Sequence, residues 1–479
     1  MRKKIAFLAG IAALSWPVFC AVPQLEPKLA RGLAAIDGHA AYENCRTLSA
    51  DRFEGRLSGS PGYAAAARWA AVKFEDWGLE APAGGVLQPF SSPYTQVGRA
   101  EMSFSVGGKE SKLEAGKDFL PLLFSAPGHV SGTVVFAGWG ISAPELGYDD
   151  YAGVDVRGKF VLCFRGTPGA DDKRFQHYDE HRVRMSAARE RGALGLIYIN
   201  PEVQANPNGD YLENFMPAMI SEAAADLLLE PRKVKALELK KDLLTYGVPI
   251  TFASDARIDF LVEARHFSEG IGYNVVAYLQ GSDPHLRDEF VILGAHLDGC
   301  GRHLGILFAG ADDNASGSAV VMELARAFSV ARIRPRRSIL FVLFGGEEMG
   351  LLGANHFAQH LPAPIKKISA MFNFDMEGEG DRAYAQFSQE PAALKEDFER
   401  ADASVQIIEG SSFFKGVGVR SSDFAPFYLQ GIPCAALYST GPHLHYHASG
   451  DTIFRINPDI LGAIGRLAFL GTWFWAERL

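Results

Sequence analysis

Two adjacent glutamates, Glu347 and Glu348, are the residues of this sequence whose types and spacing point most directly to chemistry. They follow an apolar, partly β-branched run at residues 339–344, which is typical of a buried strand, and a turn at Gly345 and Gly346. Neighbouring carboxylates at the end of a buried strand repel each other and lose solvation, so they need a compensating charge. A divalent metal ion compensates them if one glutamate binds it and the other stays free as a base. Taken alone, the pair fits the first turn of a solvated helix equally well.

Other strand ends carry the same kinds of side chain. Four predicted strands end in acids or histidines: residues 290–295 before His296 and Asp298, residues 338–344 before Glu347 and Glu348, residues 368–374 before Asp375, and residues 432–438 before His443, His445 and His447. Asp312 and Asp313 lie in a turn that opens a predicted amphipathic helix at residues 318–330. In open α/β sheets the ligand site lies beyond the carboxyl ends of the strands. The sequence therefore predicts that these side chains meet at one edge of a sheet.

Histidine nitrogens together with carboxylate oxygens form a donor set that suits zinc. If three acids are ligands and one of them bridges, two metal ions can be held about 3.5–4 Å apart, as in two-metal hydrolases. Such a pair lowers the pKa of a bridging water and polarises a carbonyl, while a free carboxylate carries the proton. The pattern predicts metal-dependent hydrolysis.

Five motifs carry a resemblance to a known family: HLD at 296–298, GADDNASG at 310–317, GGEEMGLLG at 345–353, NFDMEG at 373–378 and YHASGDT at 446–452. In this order they resemble the co-catalytic di-zinc aminopeptidases, metallopeptidase family twenty-eight. EGRLSGSPG at 54–62 extends the resemblance toward the N-terminus. The family implies an α/β fold of the zinc-exopeptidase type, phosphorylase/hydrolase-like, with a mixed, mostly parallel central sheet covered by helices on both faces. It also implies the removal of N-terminal residues from peptides, with carboxylates near the metal ions recognising the free amine.

The resemblance implies a set of metal ligands. His296 and Asp375 would bind one zinc ion, Glu348 and His447 would bind the other, and Asp313 would bridge the two. Asp312 is the rival for the bridging position, but the family pattern favours the acid next to Asn.

Further roles follow from the same resemblance. Glu347 would be the general base that activates the metal-bridging water, and Asp298 would orient the imidazole of His296. Arg420 and Asp423 resemble a stretch that lines the substrate pocket, although Phe424 stands where the family commonly has a histidine. His443 and His445 are expected to be loop residues, and His303 and His356 surface or packing residues.

Other readings remain open on the sequence. A di-zinc carboxypeptidase or deacylase shares the paired-glutamate arrangement but needs a cation for the substrate carboxylate, and Arg420 is the candidate. A single-zinc glutaminyl cyclase shares the fold, but the complete set of five ligands argues against it. A non-catalytic, receptor-like protein would lack ligands or the base, and this sequence has all six residues.

The elements that position these residues divide the chain into parts. Residues 1–20 form a predicted signal peptide, 21–127 and 253–479 form the two parts of the peptidase domain, and 128–252 form an insert. The insert is rich in short strands, and GVDVRGKFVLCFRG in it resembles the protease-associated (PA) domain. Its His177, His181, Asp171 and Asp172 are expected to be solvated loop residues. Before it, Ser60 and Pro61 predict the start of a helix, and Glu54 and Arg56 are expected at the surface or in packing.

Composition limits the class of protein and its partners. The 479 residues are 48% hydrophobic and 22% charged, with a net charge of -9, which is typical of a globular protein of two or three domains. No long basic run occurs, so neither nucleic acid nor an anionic membrane surface is expected as a partner. Arg2, Lys3 and Lys4, followed by an apolar run, predict export to a periplasm or the outside. No later stretch is expected to span a bilayer, and Cys163 and Cys434 are predicted to be buried thiols.

Overall fold

The computed structural model describes residues 26–169, 172–415 and 421–479. The predicted signal peptide, Asp171 and Arg420 lie outside these residues. The strands of the described residues are β1 Leu87–Ser91, β2 Tyr94–Val106, β3 Lys109–Leu113, β4 Phe119–Pro121, β5 Gly128–Ala137, β6 Ser142–Ala143, β7 Tyr148–Asp149, β8 Phe160–Phe164, β9 Gly195–Asn200, β10 Ala218–Ser221, β11 Thr251–Phe267, β12 Ile271–Leu279, β13 Glu289–His296, β14 Gly301–His303, β15 Ile306–Phe308, β16 Ser338–Phe344, β17 Lys367–Phe374, β18 Ala383–Phe387, β19 Ile408–Phe413 and β20 Cys434–Ser439. The α-helices are α1 Pro27–Ala35, α2 Gly38–Leu48, α3 Pro61–Asp76, α4 His181–Glu190, α5 Glu222–Leu229, α6 Ala236–Tyr246, α7 Gly317–Ala331, α8 Leu352–Gln359, α9 Ala392–Val405, α10 Ala425–Leu429 and α11 Pro458–Glu477.

One eight-stranded sheet carries the candidate ligands, in the order β1-β12-β16-β13-β17-β20-β18-β19. Its centre is parallel: β13 pairs with β16 on one side and β17 on the other, and β17 pairs with β20. β12 runs antiparallel to β16, and β18 runs antiparallel to β20. The mixed, mostly parallel sheet of the prediction is confirmed, and the strands that end in candidate ligands are parallel neighbours.

Helices cover both faces of this sheet, as predicted. One apolar core lies under α1, α2, α3, α7, α9 and α11, and a smaller one lies under α8 and α10 on the opposite face. Helix α7 is longer by one residue at each end than predicted and is buried on nearly every side rather than amphipathic, because α1, α2 and α11 pack around it. It starts directly after the turn Ala311–Ser316, which contains Asp312 and Asp313, and thus ties the position of these acids to the core.

The local start signals near the N-terminus act as expected. The Ser60 side chain accepts the N–H of Tyr63, and Pro61 occupies the first position of α3. Helix α1 ends before Asp37. The side chain of Asp37 then caps α2 by accepting the backbone N–H groups of His39 and Ala40.

A second eight-stranded sheet contains the insert, in the order β3-β2-β11-β5-β8-β9-β10-β4. It extends beyond the predicted limits of 128 and 252 in both directions, from Tyr94 in β2 to Phe267 in β11. The reason is that the long strand β11 pairs with β5 of the insert on one side and with β2 on the other. From the N-terminal part of the chain, the helices α1–α3 and strand β1 pack with the ligand-bearing sheet.

Two further features concern membrane and thiols. Among the described residues, no helix combines the length and hydrophobicity needed to cross a bilayer. Cys45, Cys163, Cys300 and Cys434 are all buried free thiols, which confirms the prediction for Cys163 and Cys434.

Candidate metal centre

The candidate ligands meet at the carboxyl edge of the parallel strands. β13 ends at His296, β16 leads through two glycines to Glu347 and Glu348, and β17 is followed by Asp375. Gly345 is required at the first turn position, because a Cβ there would clash with the Tyr63 hydroxyl. Parallel strands in register bring their ends to one edge, so three separate motifs reach the same place.

The bridging candidate comes from the turn before α7. Asp313 is 5% exposed, and its backbone N–H donates to Asp451 at 3.0 Å, while the N–H of Asp312 donates to the other oxygen of Asp451 at 2.8 Å. The side chain of Asn314 donates to the carbonyl of Phe374 at the end of β17. These bonds lock the turn against the sheet edge.

A first group of donors consists of His296, Asp313 and Asp375, whose ligand atoms lie within 4.8 Å of one another. Nε2 of His296 is 3.3 Å from Oδ1 of Asp313 and 3.4 Å from Oδ1 of Asp375. The second oxygen of Asp375 accepts the hydroxyl of Ser422 at 2.6 Å. The group offers one nitrogen and two oxygens to a metal ion.

A second group consists of Cys300, Glu348 and His447, again with donor atoms within 4.8 Å of one another. Nε2 of His447 is 2.7 Å from Oε2 of Glu348 and 3.3 Å from Oδ2 of Asp313. Asp313 therefore faces His296 with one oxygen and His447 with the other. This placement matches that of a carboxylate bridging two metal ions.

The residues present fit divalent metal ions. Nε2 of His447 is buried yet forms no hydrogen bond, although a carboxylate oxygen lies 2.7 Å away. Burial lowers the pKa of His447, but Glu348 and Asp313 outweigh this and raise the pKa well above its usual range. The pKa of His296 is raised in the same way, against burial, by Asp375 and Glu347. The metal-free centre thus attracts positive charge strongly, and its nitrogen and oxygen donors suit zinc.

Glu347 lies beside the first donor group but belongs to neither of the two groups. Its Oε2 is 4.0 Å from Nε2 of His296, and its side chain is 14% exposed toward a cavity. Burial raises the pKa of Glu347 well above its usual range, and the carboxyl groups of Glu348, Asp423 and Asp375 raise it further. His296 acts in the opposite direction but does not outweigh them. As a carboxyl group on the cavity wall outside both donor groups, Glu347 is placed to transfer protons.

Asp298 is completely buried under the centre. Its two oxygens accept the backbone N–H groups of Glu347 and Glu348, at 3.2 and 3.3 Å. Oδ1 also lies 3.7 Å from Nδ1 of His296. Burial raises the pKa of Asp298 to about 7. Asp298 therefore positions both glutamates as well as the imidazole, and the first of these roles was not expected.

Asp423 lies close to the centre but away from solvent. It is fully buried, neither of its oxygens has a hydrogen-bond partner, and burial raises its pKa well above the usual range. The structure therefore places Asp423 behind the site rather than on the wall of an open substrate pocket. Arg420, the other substrate candidate, lies outside the described residues.

The rival bridge Asp312 has a different partner. Its Oδ2 lies 2.5 Å from Nδ1 of His443, and its Oδ1 accepts the N–H of Gly378. His443 is consequently not a simple loop residue but one half of a partly buried ion pair. The alternate spacing of the three histidines was the only signal for it in the sequence.

Arg56 was expected at the surface or in packing and is in fact completely buried. Its guanidinium donates to the carbonyls of Leu48, Leu297, Ala309 and Gly310. Leu297 belongs to the HLD motif, and Gly310 is the first residue of GADDNASG. Arg56 therefore braces the two loops that carry His296 and Asp313.

A cavity of about 240 Å³ opens over Glu347, Glu348 and His447. Its opposite wall comes from the insert, through Arg165, His181 and other residues. The insert is attached there by a hydrogen bond of 2.8 Å from the N–H of Ala205 to the carbonyl of His447. His181, expected in a solvated loop, is buried at the start of α4, because the insert folds back over the ligand edge.

Comparisons with known proteins agree with this geometry. The family model described as "Peptidase family M28" matches residues 274–471, and the one described as "PA domain" matches residues 130–228. The chain belongs to peptidase family M28. It carries an inserted PA domain, as the motifs predicted, and the family confirms the prediction of a hydrolase of the peptidase class.

Individual relatives cover the chain to different extents. An enzyme of Streptomyces exfoliatus named "Leupeptin-inactivating enzyme 1" is 32% identical over 40% of this chain and 46% of its own, so the chain spans about half of that enzyme. An "Aminopeptidase" of Pseudomonas aeruginosa is 27% identical over 87% of this chain and 76% of its own. The solved structure of a zinc aminopeptidase from Bacillus subtilis has a TM-score of 0.64 at 21% identity and covers 93% of this chain and 96% of its own, which shows the shared fold.

Proposed function

We propose that this chain is an exported aminopeptidase that uses two zinc ions to remove N-terminal residues from peptides. The observation that carries the proposal is the position of Asp313, whose two carboxylate oxygens each lie 3.3 Å from Nε2 of a different histidine. An ion beside each histidine would bind one oxygen of this carboxylate, which is how a carboxylate bridges two metal ions.

Each ion would have its own set of ligands. His296 and Asp375 would hold one, Glu348 and His447 would hold the other, and Asp313 would contact both. When bound, such a pair supplies a Lewis acid for the scissile carbonyl and lowers the pKa of water toward neutrality.

Glu347 would be the proton carrier. It lies on the cavity wall, outside both donor groups, with its backbone fixed by Asp298. From there it would accept the proton of the attacking water and deliver it to the leaving amine, which are the two transfers that peptide hydrolysis requires.

Charge favours a free amine as the group recognised. Six carboxyl groups crowd the centre: Asp298, Asp313, Glu347, Glu348, Asp375 and Asp423. Those that are ionised and not bound to a metal ion would attract the ammonium group at the start of a peptide and repel a carboxylate.

The shape of the site supports the action of an exopeptidase. The cavity of about 240 Å³, closed on one side by the PA domain, is smaller than the ~300–1,000 Å³ of sites for drug-sized ligands. A second cavity of about 180 Å³ lies beside Asp375, between Met376, Phe424 and Leu437. We infer that it receives an apolar side chain of the residue that is removed.

Zinc and export are parts of the same proposal. The imidazole and carboxylate donors suit zinc, and the Bacillus subtilis neighbour is named a zinc aminopeptidase. The basic and apolar residues at the start of the sequence support export to a periplasm or the outside.

One observation favours a second candidate, a carboxypeptidase or deacylase. Arg165 of the PA domain lies on the cavity wall opposite Glu347 and Glu348, and a guanidinium suits a substrate carboxylate. Arg165 would then bind the substrate carboxylate, which is the role that the sequence suggested for Arg420.

A substrate panel separates the two. We expect the metal-loaded protein to hydrolyse leucyl amides with a free amine and to leave the N-acetylated amides intact. Cleavage of N-acetylated peptides at their C-terminus, or deacylation of the blocked amides, would contradict the proposal and support the second candidate. As a folding-matched control, Glu347→Gln should remove the activity without changing the panel's background hydrolysis.

A further inference from the structure

We infer that Cys300 is a sulfur ligand of the second metal ion, beside Glu348 and His447. The inference rests on the proposed dinuclear centre and adds to it a ligand that the family motifs do not contain. It would give the two metal positions different chemistry.

The thiol is within reach of the second position. Cys300 is 4% exposed, and its Sγ lies 3.9 Å from Oε1 of Glu348. The sulfur, the Glu348 oxygen and the His447 nitrogen all lie within 4.8 Å of one another. Ligand atoms around a tetrahedral zinc ion are roughly 3.3–3.6 Å apart, given Zn–S, Zn–N and Zn–O lengths of about 2.3, 2.0 and 2.1 Å. The separations of 2.7 Å between Glu348 and His447 and 3.9 Å between Glu348 and Cys300 lie on either side of this range, so the three side chains can converge on one ion.

The backbone holds the thiol at this place. The loop after Asp298 bends sharply at Gly301, which has a φ of +87° and lies where a Cβ would contact Leu57. The N–H of Gly299 donates to the carbonyl of Arg56 at 3.2 Å, and the buried His303 ring lies 2.9 Å from the Cys300 carbonyl. The backbone is thus fixed on both sides of Cys300. This is typical of a side chain held in position for a function rather than of one that only fills space.

The polar neighbours of the thiol distinguish it from the other cysteines. Cys163, Cys300 and Cys434 all belong to apolar clusters, and Cys45 donates to the carbonyl of Ala311. Among the four, Cys300 is the one whose Sγ also faces the carboxylate of Glu348, within 4.8 Å of the nitrogen of His447. A metal ion can bind all three donors at once.

Binding would follow simple proton balance. The S–H bond of Cys300 breaks, the proton leaves to solvent, and the sulfur–metal bond forms without a change of oxidation state. The second position would then have donors from Cys300, Glu348, His447 and Asp313, and the first would have only nitrogen and oxygen donors. Because thiolate favours zinc, cobalt and cadmium over magnesium and manganese, the second position would be the tighter and more selective one.

Cobalt substitution tests the inference without relying on activity. We would load wild type, Cys300→Ser and the control Cys434→Ser with two equivalents of Co²⁺ and record near-ultraviolet spectra. We expect a sulfur-to-cobalt charge-transfer band in wild type and in Cys434→Ser, and none in Cys300→Ser. We also expect Cys300→Ser to lower at least tenfold the affinity for the Zn²⁺ ion that wild type holds more tightly, measured by chelator competition.

The outcomes are separable. Two bound cobalt ions without the band in wild type would overturn the inference and leave the proposed function standing, as would a band that persists in Cys300→Ser. Failure of wild type to bind cobalt would overturn both. The wild-type spectrum decides the matter even if Cys300→Ser does not fold.

Discussion

The carboxylate of Asp451 accepts a hydrogen bond of 3.0 Å from the backbone N–H of Asp313. Its other oxygen accepts the N–H of Asp312, so a single buried side chain fixes the backbone of Asp313, the residue proposed to bridge the metal ions. We predict that Asp451→Asn lowers zinc affinity about 10- to 100-fold, as is usual when a partner that orients a ligand is lost. Chelator competition measures this, with the exposed Asp459→Asn as control. Equal affinities of the two variants would contradict the prediction.

Arg56 holds two ligand-bearing loops through four carbonyl groups. We predict that Arg56→Lys destabilises the protein by about 2–4 kcal/mol, because an ammonium group cannot reach all four carbonyls and each orphaned one costs about 1–3 kcal/mol. The melting temperature should fall by roughly 2–4 °C. Arg52→Lys, on the exposed side of the same turn, is the control and should melt within about 1 °C of wild type. A wild-type melting temperature for Arg56→Lys would contradict the bracing role.

The sequence allows the ligand-bearing strands to be predicted because each one is a short apolar run that stops at an acid or a histidine. Parallel neighbours then bring these ends together, and the motif order identifies Asp313 rather than Asp312 as the bridging candidate. The burial of Arg56 and the pairing of His443 with Asp312 are not predictable in this way. Both depend on residues more than a hundred positions apart, and nothing local distinguishes them from surface residues.

The PA domain shows the same limit. Strands β5, β8 and β9 can be located because each is a short apolar run, but the edges of the second sheet cannot, because β11 joins it through long-range pairing. The approach of Arg165 and His181 to the centre follows from how the two sheets pack together. The residue types around Arg165 and His181 do not indicate in the sequence that the two sheets pack together in this way.

The ion pair of His443 and Asp312 predicts a pH dependence of stability. Burial lowers the pKa of His443, but Asp312 outweighs this effect and raises the pKa to about 9. Since the unfolded value is about 6.5, the pair stabilises fully below that pH, and the stabilisation is lost as pH rises through about 9.

We predict that His443→Gln lowers the stability of the metal-free protein by on the order of 3 kcal/mol at pH 6. The difference from wild type should become small at pH 10. Thermal melts at pH 6, 8 and 10 measure it, with the exposed His285→Gln as control. A difference that grows with pH would show that the histidine is held neutral and would contradict the assignment.

The position of Arg165 predicts that KM depends on the C-terminal carboxylate of the substrate. In a short peptide whose amine lies at the metal centre, the C-terminal carboxylate would reach toward the PA wall of the cavity. We predict that Arg165→Gln raises KM for free dipeptides and tripeptides about tenfold, which corresponds to about 1.4 kcal/mol. KM for aminoacyl amides, which have no carboxylate, should not change. The exposed Arg189→Gln is the control, and an equal rise for peptides and amides would show a general effect on the cavity instead.

The most direct test of the dinuclear centre is its metal stoichiometry. We would measure this by mass spectrometry on wild type, Glu347→Gln and Asp313→Asn. We predict about two zinc ions in wild type and in Glu347→Gln, with kcat of the latter lowered ~10²- to 10⁴-fold, and a loss of metal in Asp313→Asn. Retention of both ions by Asp313→Asn, or loss of metal from Glu347→Gln, would contradict the bridging role of Asp313 and the separation of base from ligands.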